Sequence, residues 1–133
     1  MSWINGYMSA VYEDGGRGPN AFDCWGLVRD VLHKYFDVPE LLSYGCVCPD
    51  DKRSMNAGYK VVKTGFKACC AVPGAVACGY RSGCLVHVGV VVETASGLRV
   101  LHASRASGVS LVSLREFERL FLKVGFYCYG GSS

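Results

Sequence analysis

The sequence predicts an α+β fold, in which an early helix packs on an antiparallel β-sheet formed by the later part of the chain. The helix is indicated by a cap candidate, Asp23, ahead of apolar residues at helical spacing. These apolar residues are Leu27, Val28, Val31, Leu32 and Tyr35. From Pro73 onward the apolar residues recur at every second position, which is typical of strands. A helix followed by consecutive strands is the order expected of an α+β domain.

The elements can be assigned in chain order. Residues 13 to 21 predict a loop because they are rich in glycine and contain Pro19, and the segment 37 to 39 ends the first helix. Residues 40 to 70 have a mixed pattern, with a short helix near 50 to 57 as one interpretation. Strands are predicted at 75–78, 84–92, 98–103, 109–111 and 122–129, with Ser96-Gly97 as a hairpin turn. Ser113 and Glu116 have the form of a capping box, which predicts a short helix through Leu120. Residues 130 to 133 are expected to form a frayed tail.

Composition indicates one globular domain spanning residues 1–133. Half of the residues are apolar, 19% are charged, and the net charge is only +3. So small and dispersed a charge argues against a nucleic-acid partner, although a weakly basic surface suits an anionic polymer such as a cell wall. No apolar run reaches the roughly 18 residues that a membrane helix needs, so we expect no membrane insertion.

Eight cysteines in a chain of this length raise the question of disulfides or zinc. The first seven residues lack the basic and apolar regions of a signal peptide, which favours synthesis in a reducing cytoplasm and reduced, buried thiols. Cys46-Val47-Cys48 and Cys69-Cys70 lack the C-x2-C spacing of zinc ribbons. We therefore expect no metal and no other cofactor, and we interpret most of the cysteines as packing residues.

Cys24 is the exception, because it lies where the glycine-rich loop meets the predicted helix. Backbone N–H groups and the helix dipole at such a position can stabilise a thiolate. His87 is the one polar side chain among residues 85–92, and His102 lies one strand later, so strand pairing could bring the two imidazoles together. Alternation along the strand puts Leu85, Gly89 and Val91 on the His87 face, and Gly89 leaves space beside the imidazole.

Each of these residues alone has an ordinary structural explanation, since most cysteines at helix starts are buried and most strand histidines are structural. Their occurrence together, in compatible elements, favours a thiol hydrolase with Cys24 as nucleophile, His87 as base and His102 as the residue that orients the base. His33 lies at the polar edge of the first helix and is predicted to be a surface residue.

Four sequence segments resemble the motifs of the NlpC/P60 cysteine peptidases. The first runs from Tyr12 through Gly15-Gly16 and Pro19 to Phe22-Asp23-Cys24-Trp25-Gly26-Leu27-Val28. Pro73-Gly74-Ala75-Val76 is similar to the family's Pro-Gly-Asp turn, with alanine in place of aspartate. His87-Val88-Gly89-Val90 is similar to the histidine strand, and Leu101-His102-Ala103-Ser104 to the third catalytic position. The resemblance covers residues 12 to 112 in the family's order.

The resemblance implies a papain-like core with Cys24, His87 and His102 as the catalytic residues. It also implies that Tyr12, Asp23 and Trp25 lie at the oxyanion or substrate site, and that a backbone N–H at Cys24 helps to hold the oxyanion. The implied substrate is the stem peptide of bacterial peptidoglycan, cleaved between γ-D-glutamate and the diamino acid. The family usually has serine at position 25. The tryptophan found here instead is similar to the phage tail-associated branch of the family. That branch implies tail-tip proteins as partners and delivery to the cell wall by a tail.

Two other functions remain open from the sequence. One is a related thiol amidase or acyltransferase that uses the same cysteine and histidine. The other is a structural tail-assembly or wall-binding module without significant hydrolase activity. Retention of both Cys24 and His87 favours the hydrolase.

Overall fold

The computed structural model describes residues 2–41, 65–82 and 84–130. Within them, the helices are α1 (Ser2–Met8), α2 (Cys24–Tyr35) and α3 (Leu114–Arg119). The strands are β1 (Val11–Tyr12), β2 (Ala21–Phe22), β3 (Phe66–Ala68), β4 (Val76–Arg81), β5 (Cys84–Thr94), β6 (Gly97–Ser104), β7 (Gly108–Ser113) and β8 (Lys123–Tyr129). The predicted α+β class with an antiparallel sheet is confirmed.

Helix α2 forms where the apolar periodicity placed it. Asp23 caps its N-terminus, and the apolar residues Leu27, Val28, Val31 and Leu32 are all buried. The helix ends at Phe36, after which Asp37 has a positive φ of 57°, a conformation that cannot continue a right-handed helix. His33 is exposed, as predicted.

The main sheet contains six strands in the order β3-β8-β4-β5-β6-β7, and all of its pairs are antiparallel. Helix α2 lies against β5 and β6. Apolar side chains of α1 and α2 pack there with one face of β4, β5 and β6, including Cys78, Val88, Val90 and Leu101; we call this layer the first core. The catalytic candidates are thus attached to the central strands of the sheet and to the helix that covers them.

The opposite face of the sheet is covered by α3 and forms the second core. Its buried members are Ala75, Ala77, Val91, Val100 and Phe117. The capping box that predicted α3 is present: Glu116 N–H donates to Ser113 Oγ, and Ser113 N–H donates to Glu116 Oε1. Phe117 is fully buried, so α3 is fixed to the sheet by one aromatic side chain.

Three elements escaped the sequence prediction. Helix α1 was not expected, the parallel pair β1-β2 brackets the predicted loop, and β3 lies in the segment with the mixed pattern. Strands of two or three residues are too short to show a hydrophobic period. The helix considered near residues 50 to 57, and the tail beyond Gly130, lie outside the described residues.

The cysteines depart from the expectation of buried thiols. Cys69 and Cys128 form a disulfide that joins the end of β3 to β8, with a Cα–Cα distance of 6.0 Å. Cys70 is a free and exposed thiol, whereas Cys78 is buried as expected. The pairing of β3 with β8 brings Cys69 and Cys128 together, and this contact joins residues 59 positions apart in the chain. Cys46 and Cys48 lie outside the described residues.

Candidate active site

Cys24 is the first residue of α2, and the capping of this helix determines its surroundings. The Asp23 carboxylate oxygen Oδ1 accepts from Gly26 N–H over 2.7 Å, and Leu27 N–H donates to the Asp23 carbonyl oxygen. Two other N–H groups of the first turn, those of Cys24 and Trp25, are directed at the Cys24 sulfur. The helix start therefore presents two backbone donors at the thiol, as the sequence position suggested.

The loop before α2 is held by the same carboxylate. Arg17 Nη1 contacts Asp23 Oδ1 at 2.9 Å and donates to the Gly16 carbonyl oxygen, while Gly15 N–H donates to Asp23 Oδ2. A side chain at Gly26 would overlap the Gly16 carbonyl oxygen, so the loop can lie this close to the helix only because residue 26 is glycine. The glycine-rich sequence thus packs directly on the first turn of α2.

Asp23 consequently has a structural role that the motif resemblance did not include. Its side chain is fully buried, and both carboxylate oxygens accept hydrogen bonds from the protein. A carboxylate that caps a helix and anchors a loop is satisfied by its own chain. The geometry therefore places Asp23 beneath the thiol as a support of the helix start.

His87 on β5 and His102 on β6 form a hydrogen-bonded pair. His87 Nε2 lies 2.8 Å from His102 Nδ1, and the two ring planes meet at 82°. A Cβ atom at Gly89 would lie 3.1 Å from the His102 Cβ, so glycine at this position allows the second imidazole to approach. The cross-strand juxtaposition expected of these histidines is present.

Ser110 extends this pair and was not identified from the sequence. It lies opposite His102 in the β6-β7 register, and its Oγ is 3.4 Å from His102 Nε2. One tautomer assignment satisfies both contacts, with His87 Nε2–H donating to His102 and His102 Nε2–H donating to Ser110. That assignment leaves the Nδ1 lone pair of His87 free to accept a proton. The β6-β7 hairpin register was the signal that could have indicated Ser110.

The face assignment along β5 was partly wrong. Val91 and Gly89 share the His87 face, but Leu85 packs in the first core on the other face. The reason is a register shift, since Gly79 pairs with His87 while the next residue of β4, Tyr80, pairs with Leu85. The extra residue on β5 is a bulge, and a bulge reverses the alternation beyond it.

The Cys24 thiol lies against the backbone of β5, beside the N–H of Val88. This N–H belongs to the residue after His87. The thiol of α2 therefore contacts β5 at the position next to the one that carries the imidazole. They pack in different layers, because Cys24 belongs to the first core while the His87 ring contacts Phe117 and Phe121. Among the described residues no hydrogen bond joins the thiol to His87. Proton transfer between the two groups therefore requires that their relative positions change when substrate binds.

Burial determines the protonation of both groups. It raises the pKa of the Cys24 thiol to about 12, although the N–H groups of Val88, Trp25 and Cys24 itself favour the thiolate and lower it. Burial, followed by the nearby His102 and Arg81, lowers the pKa of His87 to about 3. The sequence-based expectation of a thiolate at rest is therefore corrected: near neutral pH the structure favours a neutral thiol and a neutral imidazole.

Tyr12 is close enough to Cys24 to interact electrostatically with it. Burial is the largest cause of its raised pKa, and the neighbouring Asp14 raises it further while Arg105 lowers it. The Arg105 guanidinium lies 5.7 Å from the centre of the Tyr12 ring and also contacts both carboxylate oxygens of Asp14 at 3.0 Å. The Tyr12 hydroxyl therefore lies buried near the thiol, and its role at an oxyanion or substrate site stays a prediction.

Trp25 lies in the first core, where only 1% of its surface is exposed. The substrate-site role that the resemblance implied for Trp25 does not match this position. Its side chain lies on the buried face of α2, because residue 25 is in the first turn, which the preceding loop covers. A substrate platform needs an accessible ring face, and Trp25 has none.

Two surface cavities lie away from the thiol. The larger has a volume of about 460 Å³ and is lined by His33, Asp37, Val38, Pro39 and Tyr129. The smaller, of about 180 Å³, lies between α1 and α2 and has Trp3, Tyr7, Asp30 and Tyr35 among its lining residues. Cys24 and His87 line neither of them. Neither cavity is lined by a candidate nucleophile, so the candidate active site is assigned to the region of Cys24.

The described residues hold no group of three His, Cys, Asp or Glu side chains that could bind a metal ion. None of the helices in the same part of the chain is long and apolar enough to cross a membrane.

Comparison with known proteins relates the chain to one fold. No protein-family model and no curated protein sequence matches it. Among solved structures, it is similar to the NlpC/p60 domain of peptidoglycan hydrolase SagA, with a TM-score of 0.59 and 15% identity over 97% of this chain and 94% of that one. It is also similar to NlpC1 from Trichomonas vaginalis, with a TM-score of 0.57 and 15% identity. That match covers 96% of this chain and 41% of NlpC1. The protein therefore has the fold of the NlpC/P60 domains.

Proposed function

We propose that the protein is a cysteine hydrolase of the NlpC/P60 type that cleaves the peptide stems of bacterial peptidoglycan. The observation that carries this proposal is the 2.8 Å hydrogen bond between His87 and His102, on the strand whose backbone contacts the Cys24 thiol. A nucleophile, a base and a group that orients the base are the parts that a thiol hydrolase needs. SagA, which has the same fold, is described as a peptidoglycan hydrolase.

The chemistry follows from the free ring nitrogen of His87. In the tautomer that satisfies His102 and Ser110, Nδ1 of His87 accepts the thiol proton while the sulfur attacks the scissile carbonyl carbon, after substrate binding has brought the two side chains together. The imidazolium then returns this proton to the leaving amine, and water hydrolyses the thioester. Because the thiol and the imidazole are neutral at rest, the thiol proton moves to His87 as the sulfur attacks, and no ion pair is needed beforehand.

The oxyanion of the tetrahedral intermediate needs donors near the sulfur. The N–H groups of Cys24 and Trp25 at the start of α2 are candidates, since both are directed at the sulfur. The Tyr12 hydroxyl is a third candidate, because it is buried near the thiol. Cleavage between γ-D-glutamate and the diamino acid, and an origin in a phage tail with tail-tip proteins as partners, are part of the proposal. They rest on the sequence motifs alone.

The decisive experiment incubates the purified protein with peptidoglycan and identifies released fragments by mass spectrometry. We expect stem-peptide fragments from the wild type and none from Cys24→Ala. Cys78→Ala is the matched control, because Cys78 is also a buried cysteine of the first core that is not in a disulfide. Equal release by wild type and Cys24→Ala would refute the thiol mechanism, and the masses of the fragments identify the bond.

A second function is favoured by one observation, the buried and neutral thiol that forms no hydrogen bond with His87. In that case the protein is a wall-binding or tail-assembly module without hydrolase activity. It would then cosediment with peptidoglycan while releasing no fragments, and Cys24→Ala would bind equally well. A thiol amidase or acyltransferase would be recognised by a Cys24-dependent product from a different amide.

A further inference from the structure

The turn between α3 and β8 places an aromatic ring directly on His87. Phe121 stacks on the imidazole with a centroid distance of 5.7 Å and an angle of 23° between the ring planes. Phe117 of α3 contacts the same imidazole at 6.0 Å and contacts Phe121 at 5.2 Å. His87 is only 8% exposed as a result of this packing and its place in the sheet.

The position of Phe121 is itself fixed from β4. A Cβ atom at Gly79, the residue that pairs with His87, would lie 2.5 Å from the Phe121 ring, so the ring can occupy this place only over a glycine. Arg81 places its guanidinium 5.2 Å from the centre of the Phe121 ring and donates from Nη2 to the Leu120 carbonyl oxygen over 2.6 Å. Two contacts from one side chain thus hold the turn that carries Phe121.

We propose that Phe121 is a positioning residue for His87, which holds the imidazole in the orientation that pairs Nε2 with His102 and leaves Nδ1 unbonded. The proposal rests on the hydrolase function for its catalytic consequence, although the positioning itself is a property of the fold. A ring stacked on an imidazole restricts its rotation about the Cβ–Cγ bond, and the neighbouring hydrogen bond then selects one orientation. Removal of the ring frees this rotation and opens a path for water.

The charged and titratable groups around His87 come from each packed element. His102 faces it from β6 and Arg81 from β4, whereas α3 and the following turn contribute only the uncharged rings of Phe117 and Phe121. Cys24 of α2 packs in the first core, on the other face of the sheet. Loss of the Phe121 ring therefore changes mainly the solvation of His87. Better solvation favours the protonated imidazole, so the pKa of His87 is expected to rise toward its ordinary value.

The test compares four variants of the full chain: Phe121→Ala, Phe121→Leu, Phe121→Tyr and Leu122→Ala. Leu122 is the matched control because it lies in the same turn and is 82% exposed. The titration of His87 is followed by NMR of ring-labelled histidine, and the pH profile of kcat/KM is measured on peptidoglycan fragments. We expect the His87 titration to move up by about one pH unit or more in Phe121→Ala and Phe121→Leu. We also expect kcat/KM to fall on the order of tenfold in both.

Phe121→Tyr keeps the ring and should restore both the titration and the rate, and Leu122→Ala should match the wild type. Phe121→Leu preserves most of the buried volume, so it tests the ring if Phe121→Ala does not fold. Unchanged His87 titration in Phe121→Leu would overturn the proposal even if the protein is an active hydrolase. If the wild type releases no fragments but the titration moves as expected, the proposed function fails while the positioning role stands.

Discussion

The low pKa of His87 predicts that the protein loses stability in mild acid. The unfolded chain protonates this imidazole near its ordinary pKa of 6.5, whereas in the folded chain the pKa is about 3. Between these values the unfolded state binds more protons, so the contribution of His87 is complete above pH 6.5 and falls as the pH falls toward 3. From about pH 7.5 to about pH 5, the resulting loss in the free energy of unfolding is roughly 2 kcal/mol.

The measurement is urea denaturation at several pH values, for the wild type and for His87→Gln. Glutamine removes the titrating group while keeping a polar side chain beside His102. Burial lowers the pKa of His102 as well, and His102 contributes to the pH dependence of both proteins. The difference between the two pH dependences therefore isolates His87. Parallel curves for the two proteins between pH 7.5 and 5 would show that His87 is not buried in the neutral form, and would refute the reasoning.

Three further predictions follow from the same structure. Replacement of both Cys69 and Cys128 by serine removes a link between residues 59 positions apart, which should lower the free energy of unfolding by about 4 kcal/mol. A midpoint of urea unfolding equal to that of the oxidised wild type would contradict this. In peptide mapping after iodoacetamide treatment near pH 7, the exposed Cys70 should be labelled well before Cys24, because burial raises the pKa of Cys24 to about 12. Faster labelling of Cys24 would instead support the hypothesis that Cys24 is a thiolate at rest. Asp23→Ala should cost about 2 kcal/mol or more of stability, since it removes a helix cap and a buried acceptor, and Asp23→Asn, which can still cap, should cost less in the same thermal unfolding assay.

Local sequence patterns identified the elements whose causes are local. The α2 helix follows from its cap and its apolar spacing, and α3 follows from the Ser113 and Glu116 capping box. The hairpin between β5 and β6 turns at residues 95–96, one position before the predicted Ser96-Gly97, and Gly97 begins β6 with a φ of 105° that favours glycine. In each case the residues that determine the element lie within a few positions of one another, so a single sequence contains the signal.

Elements with distant causes were not predicted. Strand β3 exists because β8 pairs with it, and the disulfide between Cys69 and Cys128 exists because that pairing brings the two residues together. The bulge that moves Leu85 to the first core arises from the register between β4 and β5. None of these pairings can be read from the spacing of residues along one strand.

The sequence by itself determined the chemical identity of the candidate site: a cysteine at a helix start, and two histidines on neighbouring strands that become a hydrogen-bonded pair. Only the tertiary structure decided the state of these groups, because burial depends on every element that packs around them. It made the thiol and the imidazole neutral, placed Trp25 in the core, used Asp23 as a support, and set Phe121 on His87. A residue's type defines which proton it can exchange, and its solvation in the fold defines the pH at which it does so.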